Sequence, residues 1–217
     1  LQKKFKEAKS LLQFFAAKVE GNRVPNIIFS DGKKDFSSID STLWFFIALH
    51  EYAEASRDFK FVKEKMPLML ELLDGMKPLV SRGNGILLNG ERESWMDASI
   101  QGKAATPRKG AIEINALYYN ALMIAALYCK KFFLASKARE LETLAFAFKV
   151  SFDKAFWNES SKSLDDCIDG KSQRPNQIYA VSLPFAILSK EKEKAVVDFV
   201  AREFLNSNGL RTLSLNE

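Results

Sequence analysis

Ala121-Leu122-Met123-Ile124-Ala125-Ala126-Leu127 is a helix-length run with no polar side. A helix that is apolar all round has to be buried all round, so this run predicts a helix enclosed by other helices. Leu43-Trp44-Phe45-Phe46-Ile47-Ala48-Leu49 has the same character. Working outward from these two runs, segments 40–55, 113–132 and 176–188 read as enclosed inner helices. Segments 6–19, 59–80, 137–156 and 191–205 are apolar on one side only. In the third of them Leu141, Leu144, Ala145, Phe148 and Phe152 recur at helical spacing, while Glu140, Glu142 and Lys149 fall elsewhere on the surface. These are outer helices.

Strand signals are weak, and Ala, Leu, Glu and Lys dominate the long segments, so the fold class is all-α. The order of outer helix, polar loop, inner helix, short link and outer helix returns about every seventy residues. Such alternation is what a ring of helical hairpins produces, with inner helices around a central funnel and outer helices facing water. The polar loops 21–40, 81–112 and 158–177 each precede an inner helix. Parallel inner helices would gather all three loops, and the helix N-terminal N–H groups, on one rim.

Several residues have structural readings. Asp40 before Ser41-Thr42-Leu43 suits an N-cap, and Arg174-Pro175 suits a helix start. Pro67 and Pro184 lie inside helical patterns and predict kinks or breaks. The single histidine, His50, sits among apolar residues and reads as a core or boundary histidine.

The chain has 217 residues, 47% apolar and 27% charged, enough for one substantial core. Its net charge of +5 is spread as interleaved Lys, Arg, Asp and Glu, without the single-sign block of a nucleic-acid arm or a polybasic membrane anchor. The stretch 112–133 approaches membrane-span length, yet Glu113, Asn115, Asn120, Lys130 and Lys131 mark it as a buried helix. Leu1 to Lys18 is amphipathic, with Lys3, Lys4, Lys6 and Lys9 on its wet side, rather than a signal peptide. Cys129 and Cys167 are isolated thiols without metal or disulfide spacing, which fits a reducing, cytoplasmic compartment. The chain opens on Leu1 rather than Met and closes in a polar stretch, 211–217, so the expectation is a portion of a longer protein.

With one histidine there is no Ser/His/Asp set, no glycine-rich phosphate cradle follows a strand, no metal spacing is present, and no cofactor is implied. Carboxylate acid/base chemistry remains. Trp95 offers a flat apolar face beside Asp97, and Arg108, Glu113 and Asn115 follow within the same stretch. A sugar ring presents an apolar C–H face to an aromatic and a rim of hydroxyls to carboxylate, amide and guanidinium groups. Asp97 is the candidate acid, with Trp95 and Met96 expected to desolvate it and raise its pKa. Read alone, a Trp-x-Asp triplet is a surface turn.

Six motifs stand in order: 38–45 (Ser-Ile-Asp-Ser-Thr-Leu-Trp-Phe), 94–98 (Ser-Trp-Met-Asp-Ala), 106–108 (Thr-Pro-Arg), 113–120 (Glu-Ile-Asn-Ala-Leu-Tyr-Tyr-Asn), 174–177 (Arg-Pro-Asn-Gln) and 209–213 (Gly-Leu-Arg-Thr-Leu). Together they resemble the glucosidase domain of glycogen debranching enzymes, the amylo-α-1,6-glucosidase family. The resemblance implies an (α/α)6 toroid of which about half is present here, residues 1–217 forming one partial domain, and an activity that removes the α-1,6-linked glucose left at trimmed branch points of glycogen or a similar α-glucan. It implies Asp97 as the general acid of an inverting hydrolysis, and Asp40, Trp44, Trp95, Arg108, Glu113, Asn115, Arg174, Asn176 and Gln177 around the glucose pocket. The family's general base has no counterpart, and Glu217 is not assigned that role, so the chain is expected to be inactive alone. It is also expected to expose apolar surface where further hairpins would dock, and to self-associate through it. The alternatives are a toroid glucosidase with another α-glucoside substrate, and a carbohydrate-binding or α-helical scaffold module that does not cut.

Overall fold

The structure, a computed structural model, describes residues 4–170 and 172–214. Lys3 of the first amphipathic segment and Glu217 lie outside these residues. Seven α-helices are present among the described residues: α1 (Phe5–Ala16), α2 (Asp40–Ser56), α3 (Phe59–Arg82), α4 (Ile112–Lys131), α5 (Ala135–Phe156), α6 (Tyr179–Ser182) and α7 (Lys190–Phe204). A 3-10 turn, Pro175–Ile178, leads into α6.

Helix α4 is the centre. Sixteen of its 20 residues are buried, on every side of the helix, because it packs against α2, α3, α5 and α6 at once. Its length and hydropathy would suit a membrane span, yet here it is covered by protein. The second enclosed helix, α2, buries Phe46, Leu43 and Leu49 completely. Helices α1, α3, α5 and α7 bury one stripe each: in α5 the buried residues are Ala138, Leu141, Ala145, Phe148, Phe152 and Phe156, at the three- and four-residue spacing of one helical face. The alternation of inner and outer helices is therefore present.

Two helix starts explain themselves locally. Between α2 and α3, Arg57 adopts a left-handed conformation (φ 61°) and Asp58 caps α3, its carboxylate accepting from Phe61 N at 3.2 Å. The same carboxylate binds Lys9 of α1 at 2.6 Å and Tyr52 of α2 at 3.0 Å, so one residue ties three helices. Helix α7 is capped by Ser189, and Glu191 and Glu193 complement the positive end of its dipole.

The prolines behave in two ways. Pro67 and Pro78 stay inside α3, where both are exposed and water can serve the carbonyls that lose an N–H partner. Pro184 ends a helix. The expected inner helix 176–188 is instead a 3-10 turn, the four-residue α6 and an irregular stretch, because a proline pushes the residue before it out of the helical region, and Leu183 is extended (ψ 157°). The freed backbone is met from α4: Asn120 Oδ1 accepts from Phe185 N at 2.8 Å and Asn120 Nδ2 donates to Phe185 O at 3.1 Å.

Strand content among the described residues is limited to four hairpins, each of two-residue strands: β1–β2 (Ile27–Ile28 with Lys34–Asp35), β3–β4 (Ser99–Ile100 with Lys103–Ala104), β5–β6 (Trp157–Asn158 with Ser163–Leu164) and β7–β8 (Leu205–Asn206 with Gly209–Leu210). They pin loops and form no sheet core. In β3–β4 both turn residues, Gln101 and Gly102, have positive φ (50° and 78°), as a two-residue hairpin turn requires.

Candidate active site at the loop rim

The three polar loops are stitched together in sequence order. Loop one meets loop two where Ile39 N donates to Glu93 O at 3.0 Å and Arg23 Nη2 reaches Glu93 Oε1 at 3.4 Å. Loop two meets loop three where Ile112 N donates to Asp166 O at 2.9 Å. Loop three meets the chain beyond α7 where Arg174 Nη1 donates to Thr212 O at 2.9 Å. The loops that precede α2, α4 and the 3-10 turn therefore share one rim.

At the middle of the rim lies a buried charge cluster. Arg108 is 2% exposed, and its guanidinium makes two forks. One goes to Glu113 in the first turn of α4 (Nη1 to Oε1 and Nη2 to Oε2, both 2.6 Å), the other to Asp166 (Nε to Oδ2 at 2.5 Å, Nη2 to Oδ1 at 2.8 Å). Planar guanidinium is suited to two such forks, and lysine could not make them. Burial pushes the Glu113 carboxyl up, against the pull of Arg108, while the two carboxylates hold the guanidinium above its ordinary range despite its own burial. Glu113 also lies at the positive end of α4.

Amide side chains organise the backbone around this cluster. Asn115 Oδ1 accepts from Leu87 N at 2.8 Å, and its Nδ2 donates to Ala111 O at 2.9 Å and Leu87 O at 3.2 Å. Gln177 Oε1 accepts from Leu164 N at 3.1 Å, and its Nε2 donates to Arg174 O at 3.1 Å. Asn89 spans loop two in the same manner, accepting from Ala111 N at 2.8 Å and donating to Arg108 O at 3.1 Å. Asn176 donates to Asp166 Oδ1 at 2.9 Å and to the Met96 sulfur at 3.4 Å.

The residues read from sequence thus divide into two groups. Arg108, Glu113, Asn115, Asn176 and Gln177 are buried, with hydrogen bonds made inside the protein. They form the wall behind the rim. Trp95 (51% exposed), Trp44 (38% exposed) and Asp97 are exposed, and Asp40 and Arg174 are half-buried. The desolvation expected for Asp97 is not provided by Trp95 and Met96: Asp97 is exposed, and its main-chain oxygen accepts from Arg92 Nε at 2.8 Å. Asp40 is the first residue of α2 rather than its N-cap. Ile39 holds that position, and the Asp40 carboxylate accepts instead from Ser38 Oγ. Trp44 packs edge-on against Tyr179 of α6, ring centres 5.8 Å apart. His50 is a core histidine, its Nδ1 3.0 Å from the Tyr128 hydroxyl.

Asp166, Asn89 and Asn120 were missed in sequence. For Asn120 a signal was present, an amide next to the longest apolar run of the chain. Among the described residues no group of His, Cys, Asp and Glu could hold a metal ion. A large groove, about 950 Å³, runs between α1 and α2. It takes in Asp40 and Trp44 but is lined mainly by apolar residues such as Leu11, Phe15 and Phe45, and neither Trp95 nor Asp97 lines it.

This architecture, helical hairpins with their loops gathered on one rim, defines a segment of a helical toroid, and solved structures share it. The chain is similar to a rhamnosidase from Klebsiella oxytoca with rhamnose bound (TM-score 0.71, 13% identity, covering 92% of this chain and 38% of that one). It is also similar to a GH78 family rhamnosidase of Bacillus sp. GL1 (TM-score 0.66, 15% identity, 89% and 20%) and to an uncharacterized conserved protein from Thermus thermophilus (TM-score 0.68, 10% identity, 100% and 70%). The chain therefore spans well under half the length of the two rhamnosidases. No curated protein matches it in sequence. The family model for amylo-alpha-1,6-glucosidase matches residues 1–217, and the chain belongs to that family.

Proposed function

We propose that the chain is the acid-bearing portion of a glycoside hydrolase domain that removes α-1,6-linked glucose from branch points of glycogen-like α-glucan. The observation that carries this reading is membership of the amylo-alpha-1,6-glucosidase family across the whole chain, together with Asp97 standing exposed on a loop anchored to the buried Arg108 cluster. Inverting hydrolysis needs an acid to protonate the departing oxygen and a base on the far side of the ring to activate water, with room for that water between them. Asp97 serves as the acid. Trp95 offers its ring to the apolar face of the sugar, and Arg174 and Asp40 offer polar groups to its hydroxyls. The base comes from residues other than these 217, so the chain alone is inactive. Two unpaired thiols, Cys129 and Cys167, support a reducing, cytoplasmic setting.

The test is glucose release from a maltooligosaccharide carrying one α-1,6-linked glucose, by a longer protein that includes this chain, with Asp97→Asn alongside. Release that falls roughly 10²- to 10⁴-fold in the variant supports the assignment. Unchanged release in the variant, or release by the 217-residue chain itself, refutes it.

A further inference from the structure

We propose that Asp166 is the positioning residue of this site, holding the Asp97 loop in place through Asn176 and Met96; the inference rests on Asp97 being the acid. Asp166 is 2% exposed and sits where the loops of the rim converge. Its Oδ1 accepts from Arg108 Nη2 at 2.8 Å and from Asn176 Nδ2 at 2.9 Å, and its Oδ2 accepts from Arg108 Nε at 2.5 Å and lies 3.5 Å from Arg174 Nε. Its main chain is committed as well: the carbonyl accepts from Ile112 N, and the N–H donates to Ser172 O at 3.0 Å. Loop three therefore cannot shift without moving the start of α4.

The Asn176 amide carries that constraint to the acid. One amide N–H goes to Asp166 and the other meets the Met96 sulfur at 3.4 Å, 80 residues away in sequence and next to Asp97. Ser94, on the other side of Trp95, is buried, and its hydroxyl lies 3.5 Å from Arg108 Nη1. Exposed Trp95 and Asp97 are thus held through buried Ser94 and half-buried Met96, both of which answer to the Asp166–Arg108 fork. Orientation of the Asn176 amide is set by charge. A carboxylate accepts from both Arg108 and Asn176, whereas an amide at position 166 must aim an N–H at one of the donors it now faces.

The experiment has two readouts. In the chain with its methionine methyls labelled with carbon-13, the Met96 signal, assigned by Met96→Leu, is expected to shift and average in Asp166→Asn. Asn176→Ala, which leaves the Arg108 forks in place, is expected to give the same change, and the double variant no more than either alone. A Met96 signal unmoved by Asn176→Ala overturns the proposal whatever the activity. In the longer protein, Asp166→Asn should lose roughly 10- to 10²-fold in kcat on the α-1,6-glucosyl oligosaccharide. It should keep most of its rate on α-glucosyl fluoride, whose leaving group needs no proton. Equal loss on both substrates means general disruption and refutes the positioning role. Absence of hydrolysis by the unsubstituted longer protein removes the glucosidase reading instead, and the methyl signals still decide whether Asp166 holds the loop.

Discussion

Replacing Arg108 by Met keeps an unbranched apolar stem and removes the cation that two buried carboxylates share. Glu113 is 1% exposed and Asp166 2%, so neither can turn to water. Breaking a buried ion pair by deleting one partner costs about 3–5 kcal/mol, because the survivor is left uncompensated. Glu113 loses both bonds of its fork and bears that cost in full. Asp166 keeps Asn176 at 2.9 Å and Arg174 at 3.5 Å, so its share is smaller, about 1–2 kcal/mol, the desolvation cost of a partly satisfied group. The sum, about 5 kcal/mol, rivals the whole stability of many domains, about 5–15 kcal/mol. With a urea m-value of about 2–3 kcal/mol/M, the unfolding midpoint should fall by about 2 M in far-UV circular dichroism at pH 7. The variant should also recover as the solution is acidified. Its Glu113 carboxyl, unpaired, has a folded pKa far above the unfolded value near 4.3. The cost is therefore absent below that value and grows as pH rises through the window above it. A midpoint shift below about 0.4 M, equivalent to about 1 kcal/mol, or a shift independent of pH, would refute the idea that the forks hold the rim together.

Two further outcomes are expected. Burial holds His50 below its ordinary range, and it is the chain's one histidine. Above pH 6.5 it costs nothing, but below that the unfolded chain takes up a proton first, so stability should fall as pH drops through and below 6.5. Replacement of His50 by Phe should flatten this part of the melting-temperature profile, and an unchanged slope counts against the assignment. Asn120→Leu should cost about 1–3 kcal/mol in urea unfolding, since it takes their partner from the part-buried N–H and C=O of Phe185; a cost under about 0.5 kcal/mol would show that the stretch after Pro184 finds other partners.

The enclosed helices were legible because Leu43–Leu49 and Ala121–Leu127 leave no wet side, a pattern that needs no knowledge of partners. The third was misread because residues 176–188 carry the same apolar content, and only Pro184, with its effect on Leu183, separates a helix from a broken one. The order of the loops was also readable. What their side chains do was not. Arg108 in its polar loop and Asn115 in the first turn of α4 turn inward, and nothing local announces a pairing between residues 58 apart, such as Arg108 with Asp166. Asp166 sits beside Asp165 in a loop without periodicity, so its burial emerges only once the chain has folded.

Helix α4 grips the chain on both sides with an amide, Asn115 to Leu87 and Asn120 to Phe185, and in each case both the N–H and the C=O of the partner residue are engaged. Such grips are blind to side chains. Almost any amino acid other than proline at positions 87 and 185 would be held in the same way, as far as packing allows. The interior of the molecule thus works as a mounting rail with two fixed fasteners, onto which loops of different composition could be exchanged while the central helix is kept. For an engineer wishing to recast the rim, Asn115 and Asn120 are the residues to leave untouched.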